Sequence, residues 1–239
     1  MDQTRMIIWY VLGFLYLLIT YPAILYAKYL HHIKNYAKQD RYANVMLAFI
    51  CRVFFYLSGS RVKVIGKENI PKNKAVIFAS NHQGHLDGVI IQGFIKKTKG
   101  FVSLKEFGEF PILGSWMRYV DSVFVDREDT RQTLLSMDQA VVNLNRGQSM
   151  VVFPEGKLND GAQTFNFERG WLRMVTNSGV PIVPITIKNS YKIISYNGKA
   201  IHPARVECII SKPVETLGLK RSGEKAFLSS LRDIIMAHI

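Results

Sequence analysis

Cysteine is nearly missing from this chain: only Cys51 and Cys208 occur, far apart and each within an apolar stretch. They form no C-x-x-C pair, which excludes a disulfide framework and points to a reducing compartment with buried, inert thiols. Also missing are the G-x-S-x-G nucleophile elbow, the G-x-x-x-x-G-K-[ST] phosphate loop and the G-x-G-x-x-G dinucleotide turn. No nucleic-acid-binding module is recognisable, so nucleic acid is not an expected partner. There is no internal repeat, low-complexity tract or long linker. Acid is scarce, with 18 Asp and Glu against 31 Lys and Arg, a net charge of +13. A balance of this kind draws a protein to phosphate, whether in nucleic acid, anionic lipid or a phosphorylated cofactor.

A second deficit is local. No charged residue occurs from Met6 to Ala27, a run of 22 residues that as one helix would extend about 33 Å, enough to cross a bilayer core. The run exceeds the apolar region of about 7 to 15 residues in a signal peptide, and no Ala-x-Ala site closes it. Trp9, Tyr10, Tyr21 and Tyr26 lie near its two ends, where membrane interfaces hold aromatic rings. Lys28, Lys34, Lys38 and Arg41 follow it, against Arg5 before it. If the segment spans, this bias places the rest of the chain on the cytoplasmic face of the cell membrane.

Tyr42 to Leu57 reads as a second apolar helix, with Ala43, Met46, Leu47, Ile50, Phe54 and Leu57 on one face and Arg41, Asn44 and Arg52 away from it. That pattern suits a helix lying in the membrane interface, and equally an amphipathic core helix. Pro22 would let the first helix bend, and the pair would form a hairpin dipping into one leaflet. Residues 1–59 are therefore expected to be a two-helix membrane motif in contact with anionic lipids.

From residue 60 to 239 the texture changes to short apolar runs separated by helical patterns. Arg61–Ile65, Ala75–Ala79, Phe101–Leu104, Val123–Val125, Met150–Phe153, Ile182–Ile187 and Val206–Ile210 read as strands. Helices are expected at Val89–Ile95, Ile112–Tyr119, Thr130–Asn145, Trp171–Asn177 and Glu224–His238. Such alternation predicts an α/β domain with a mostly parallel or mixed central sheet covered by helices.

Chemistry in such sheets gathers in the loops at the carboxyl ends of strands. The second strand delivers Asn81-His82-Gln83-Gly84-His85-Leu86-Asp87-Gly88. A histidine with a carboxylate five positions on, in a glycine-containing turn, is a candidate general base with a partner to fix its tautomer. His85 adds the question of a metal, but no other His or Cys stands nearby in sequence and a zinc site needs three or four ligands. No metal is expected. Lys105-Glu106 follows the third strand, Asp126-Arg127 the fourth and Pro154-Glu155-Gly156-Lys157 the fifth. Four strand ends thus offer a base, its carboxylate, several cations and another acid.

These blocks, in this order over Asn81 to Ile185, resemble the glycerolipid acyltransferase family, membrane enzymes exemplified by 1-acylglycerol-3-phosphate acyltransferase. Asn81-His82 to Asp87 is similar to the family's His-x4-Asp motif, and Ser122-Val123-Phe124-Val125-Asp126-Arg127 to its second block. Phe153-Pro154-Glu155-Gly156 is similar to its third block and Val180-Pro181-Ile182-Val183-Pro184-Ile185 to its fourth. The hydrophobic N-terminal pair resembles the two-helix motif of bacterial members. The resemblance implies transfer of an acyl chain from an acyl thioester, acyl-CoA or acyl carrier protein, to a lysophospholipid hydroxyl, with no further cofactor. It implies His82 and Asp87 as the catalytic pair. Arg127, Glu155 and Gly156 are implied in the acceptor's glycerol-phosphate site, with Lys105 a candidate from the loop before.

The third block departs from the family's usual pattern. Many members continue with Thr-Arg-Ser where this chain has Lys157-Leu158-Asn159. Lys157 would supply a point charge in place of the guanidinium's bidentate fork. Two other readings stand beside phosphatidic acid synthesis. One is a lysophospholipid remodelling enzyme or CoA-independent transacylase, suggested by Lys157 to Asn159. The other is a nonenzymatic basic protein bound to anionic membrane, which explains the charge and the N-terminus but not the strand-end constellation.

Overall fold

The computed structural model describes residues 2–159, 166–195 and 200–239. Three helices come first: α1 (Asp2–Ile19), α2 (Tyr21–His32) and α3 (Tyr36–Leu57). The rest alternates β1 (Arg61–Ile65), β2 (Ile77–Ser80), α4 (Asp87–Phe94), β3 (Lys99–Leu104), α5 (Lys105–Glu109), α6 (Leu113–Tyr119), β4 (Val123–Val125) and α7 (Thr130–Asn145). It closes with β5 (Ser149–Val152), α8 (Leu172–Ser178), β6 (Ile182–Lys188), β7 (Arg205–Ile210) and α9 (Glu224–Met236). All seven expected strands are present, displaced by at most two residues at either end.

The strands form one sheet in the order β1-β7-β6-β2-β5-β3-β4. Every pairing is parallel except β6 with β7, so the sheet is mixed. Residues of β2, β5 and β6 alternate between its two faces. Val76, Phe78, Val151, Val183 and Ile185 enter one core layer, shared with α4. Ile77, Ala79, Met150, Val152 and Ile182 enter the other, shared with α7, α8 and α9. Burial on both faces is why these strands read as continuous apolar runs.

The uncharged N-terminal run does not make one helix. It breaks at Thr20, and α1 and α2 meet at a bend of 41°. Thr20 Oγ1 donates to Leu17 O (2.7 Å) and accepts from Trp116 Nε1 (3.2 Å), while Pro22 brings no N–H to the first turn of α2. Among the described residues no single helix is long and apolar enough to cross a membrane; the bent pair together passes by length and composition. One side of the pair is buried through Met6, Trp9, Ile24, Ala27 and Leu30. The other leaves Ile7, Val11, Phe14, Leu15 and Ile19 exposed.

The next helix starts earlier than its apolar pattern implies, at Tyr36, because Asn35 caps it by accepting from Lys38 N (3.3 Å). Ala43, Leu47, Ile50 and Phe55 are buried, while Val45, Phe49 and Tyr56 stay exposed. Asn44 and Arg52, expected on the outer face, turn inward. Asn44 Oδ1 accepts from Lys99 N (2.9 Å), Gln92 Nε2 donates to Asn44 O (3.4 Å) and Arg52 Nε donates to Gly93 O (2.5 Å). Polar side chains on α3 thus satisfy backbone groups at the start of β3 and the end of α4, a pairing that periodicity cannot show.

Lys99, only 1% exposed, donates its Nζ to Ile95 O (2.8 Å) and Lys97 O (3.0 Å) at the C-terminal end of α4. Burial pushes its ammonium down from 10.5 to about 7. Between those values the unfolded chain holds a proton that the folded chain does not, so this group's contribution to stability rises with pH. Urea unfolding of the intact protein should therefore show stability increasing from about pH 7 toward about pH 8.5, below the range where the buried Cys51 and Cys208 thiols act in the opposite sense, with Lys99→Met flattening the rise. An unchanged slope in Lys99→Met would contradict this account.

Candidate active site

β2 ends at Ser80, and Asn81 anchors the loop that follows. Its Nδ2 donates to Ile187 O (2.9 Å) and its Oδ1 accepts from Ile187 N (2.7 Å), tying the loop to β6. His82 Nδ1 then lies 2.9 Å from Asp87 Oδ2. The same carboxylate oxygen accepts the Gly84 N–H (2.9 Å). Asp87 is fully buried at the first position of α4, whereas the His82 side chain keeps 24% of its surface exposed. A carboxylate only accepts, so Nδ1 carries the ring proton and Nε2 is left with its lone pair. Gly84 is required here by space: a Cβ would stand 2.7 Å from the Ser190 carbonyl carbon. His85 is exposed and takes no part in these bonds.

The loop after β5 reaches the same histidine. Phe153 stacks on the imidazole, with ring centroids 4.1 Å apart and planes inclined by 20°. Glu155, 1% exposed, accepts the His82 backbone N–H through Oε1 (3.2 Å). Its Oε2 accepts from Asn159 Nδ2 (2.7 Å), and Asn159 N donates to His82 O (2.9 Å). Gly156 turns the chain at φ +67° against the Glu168 carboxylate, and Lys157 beside it is exposed.

The cations sit on the neighbouring strands. Lys105 opens α5 and its Nζ bonds Asp126 Oδ2 (2.5 Å) at the end of β4. This contact holds the lysine above its ordinary range and the Asp126 carboxyl below its own. Arg127 is exposed and makes no hydrogen bond or ion pair among the described residues. The structure thus brings His82, Asp87 and Glu155 into direct contact. By strand order Lys105, after β3, lies two strands from His82 and Arg127, after β4, three, roughly 10 and 14 Å by strand spacing. Phe153 and Asn159 are partners of His82 that motif reading does not single out, since both contacts run between loops about 70 residues apart in sequence.

The fold is a mixed, doubly covered α/β sheet with a carboxylate-oriented histidine at its carboxyl edge, an arrangement suited to general-base chemistry. The comparisons narrow it. Residues 61–188 match the family model described as Acyltransferase, and the chain belongs to that family. A probable 1-acyl-sn-glycerol-3-phosphate acyltransferase of Mycoplasma pneumoniae is 33% identical over 178 residues, covering 73% of this chain and 65% of that protein. The 1-acyl-sn-glycerol-3-phosphate acyltransferase of Borreliella burgdorferi is 25% identical over 82% of this chain and 78% of its own. The crystal structure of the 1-acyl-sn-glycerophosphate (LPA) acyltransferase PlsC from Thermotoga maritima shares the fold, with a TM-score of 0.85, 24% identity, and coverage of 99% and 94% of the two chains.

Asp87→Asn keeps the size of the side chain and one acceptor oxygen for Nδ1–H and the Gly84 N–H, which both bond Oδ2, but it removes the negative charge that stabilises an imidazolium. Acyl transfer should fall by roughly 10²- to 10⁴-fold, the range expected when a histidine base loses its orienting carboxylate. Initial rates with purified, folded variant check it, and a loss under threefold would remove Asp87 from the mechanism.

Proposed function

We propose that the protein transfers a fatty acyl chain from an acyl thioester to the sn-2 hydroxyl of 1-acylglycerol-3-phosphate, forming phosphatidic acid. The observation that carries this reading is the His82–Asp87 contact at the carboxyl edge of the sheet, in a chain of the acyltransferase family. An alcohol is a weak nucleophile until a base takes its proton. His82 Nε2 removes the acceptor's hydroxyl proton as the oxygen attacks the thioester carbonyl carbon. Asp87 stabilises the resulting imidazolium, and the Phe153 face lies against it. The C–S bond then breaks, and the thiolate leaves and recovers the proton from His82. No acyl-enzyme is needed, because the thiolate is a good leaving group.

Two further groups support the step. The Gly88 and Val89 N–H groups in the first turn of α4 have no acceptor among the described residues, and such free donors suit a tetrahedral oxyanion. Arg127, exposed and without an ion-pair partner among the described residues, is assigned to the acceptor phosphate, with Lys105 and Lys157 as further cations. The Lys105–Asp126 pair would have to loosen for Lys105 to share that contact. The exposed apolar side of α1 and α2, with Val45 and Phe49 on α3, is assigned to the surface of the cell membrane, where the lysophospholipid resides. In this arrangement anionic lipids meet the protein's positive charge and the catalytic residues work on the cytoplasmic face.

His82→Ala should abolish acyl transfer while leaving folding and vesicle binding intact. Near wild-type rates in that variant would refute the mechanism. A panel of lysophosphatidic acid and head-group-bearing lysophospholipids, each with acyl-CoA and acyl carrier protein, tests the substrates. Lysophosphatidic acid should be preferred, and equal rates with head-group-bearing acceptors would favour a remodelling enzyme.

A further inference from the structure

We infer that Glu155 and Asn159 are positioning residues that act through His82, not ligands of the acceptor. The inference rests on the acyl-transfer reading and extends it to side chains that touch no reacting atom. The resemblance alone would place Glu155 in the glycerol-phosphate site. In the fold it is 1% exposed, and its two oxygens accept N–H groups from His82 and Asn159. Asn159, 4% exposed, closes the ring by donating its backbone N–H to the His82 carbonyl. The backbone of one residue is thereby held at its N–H and its carbonyl by a single loop, while Phe153 from the same loop fixes the ring plane.

The Asp87 contact sets the tautomer of His82, but it cannot by itself set where Nε2 stands. An imidazole turns about its own Cα–Cβ and Cβ–Cγ bonds, and a shift of the backbone carries the whole ring with it. A misplacement of about 1 Å in a catalytic group costs on the order of 10²-fold in rate. A buried carboxylate that accepts two N–H groups is a stiff brace, since moving it leaves buried polar atoms unpaired. An acceptor ligand has the opposite requirement: it must offer its oxygens to solvent before the substrate arrives.

The polarity of the brace gives its test. In Asn159→Asp an acceptor faces the Glu155 carboxylate, and the ring opens. In Glu155→Gln/Asn159→Asp the glutamine Oε1 accepts from His82 N–H and its Nε2 donates to the aspartate, so the ring closes again with its polarity exchanged. Turnover in Asn159→Asp should drop roughly 10- to 100-fold, with the lysophospholipid KM within about threefold of wild type. The double variant should recover most of the loss. Hydrogen exchange across residues 81–88 should quicken in Asn159→Asp and slow again in the double variant, a readout independent of activity. Asn159→Ala, which removes the side-chain amide without introducing a second carboxylate, covers the case in which the aspartate variant does not fold.

A raised acceptor KM in Glu155→Gln, with no recovery in the double variant, would overturn the inference and return Glu155 to the substrate. Wild-type protein inactive toward every lysophospholipid, yet showing the predicted exchange pattern, would sink the acyl-transfer reading and leave the brace standing. Exchange and turnover both unchanged in Asn159→Asp would sink the brace.

Discussion

The register between β2 and β5 is the constraint from which the site follows. Ile77, Phe78 and Ala79 pair in parallel with Met150, Val151 and Val152. Both strands are buried on both faces, so a slip of one residue would move Phe78 and Val151 out of one core layer and Ile77 and Met150 out of the other. Sliding is therefore opposed by every side chain in the pair. Because the pairing is parallel, the two strands release their loops at the same edge, His82 two residues after β2 and Phe153 directly after β5. The contacts among His82, Phe153, Glu155 and Asn159 are a consequence of apolar packing about three residues upstream.

Charge plays a different part. Although Lys and Arg exceed Asp and Glu by 13, several cations are held by carboxylates: Lys105 by Asp126, Arg146 by Asp121 and Arg173 by Asp138. These pairs are largely exposed, where such contacts contribute little to stability. Among the described residues they leave Arg127 without a carboxylate partner, next to the Asp126 that holds Lys105. The positive excess is better understood as the source of a long-range field than as a source of stability.

The sheet was largely legible because its strands are short apolar runs bounded by turn residues, and α7 because its apolar spacing is joined by a real cap, Asp129 accepting from Gln132 N (3.0 Å). α5 was not legible: five residues, Lys105 to Glu109, are too few to show a period. A bend near Pro22 was legible, and the structure shows it; its exact place at Thr20 was not, because Thr20 is held by Trp116, distant in sequence. At the site the division is similar. His82 and Asp87 stand five residues apart and share a recognisable spacing. The Glu155 brace joins loops 73 residues apart, and nothing local marks Glu155 as bonded to a backbone N–H in preference to a substrate.

The eight-residue helix α4 connects the two halves of the molecule. Asp87 occupies its first position and holds His82, while Gln92 and Gly93 near its end bond Asn44 and Arg52 of α3. A helix of eight residues is about 12 Å long and behaves as a rigid strut over that length. The chain just past its end is fastened further by the buried Lys99 Nζ on the Ile95 and Lys97 carbonyls. Met6, Trp9 and Phe55 enter the same core layer as Ile90, so apolar packing reinforces the polar seam. A helical segment that only tethered the enzyme to a membrane would need none of these bonds. Their presence means that the apolar-faced N-terminal helices and the Asp87 carboxylate share one rigid element, so the orientation of one fixes the orientation of the other.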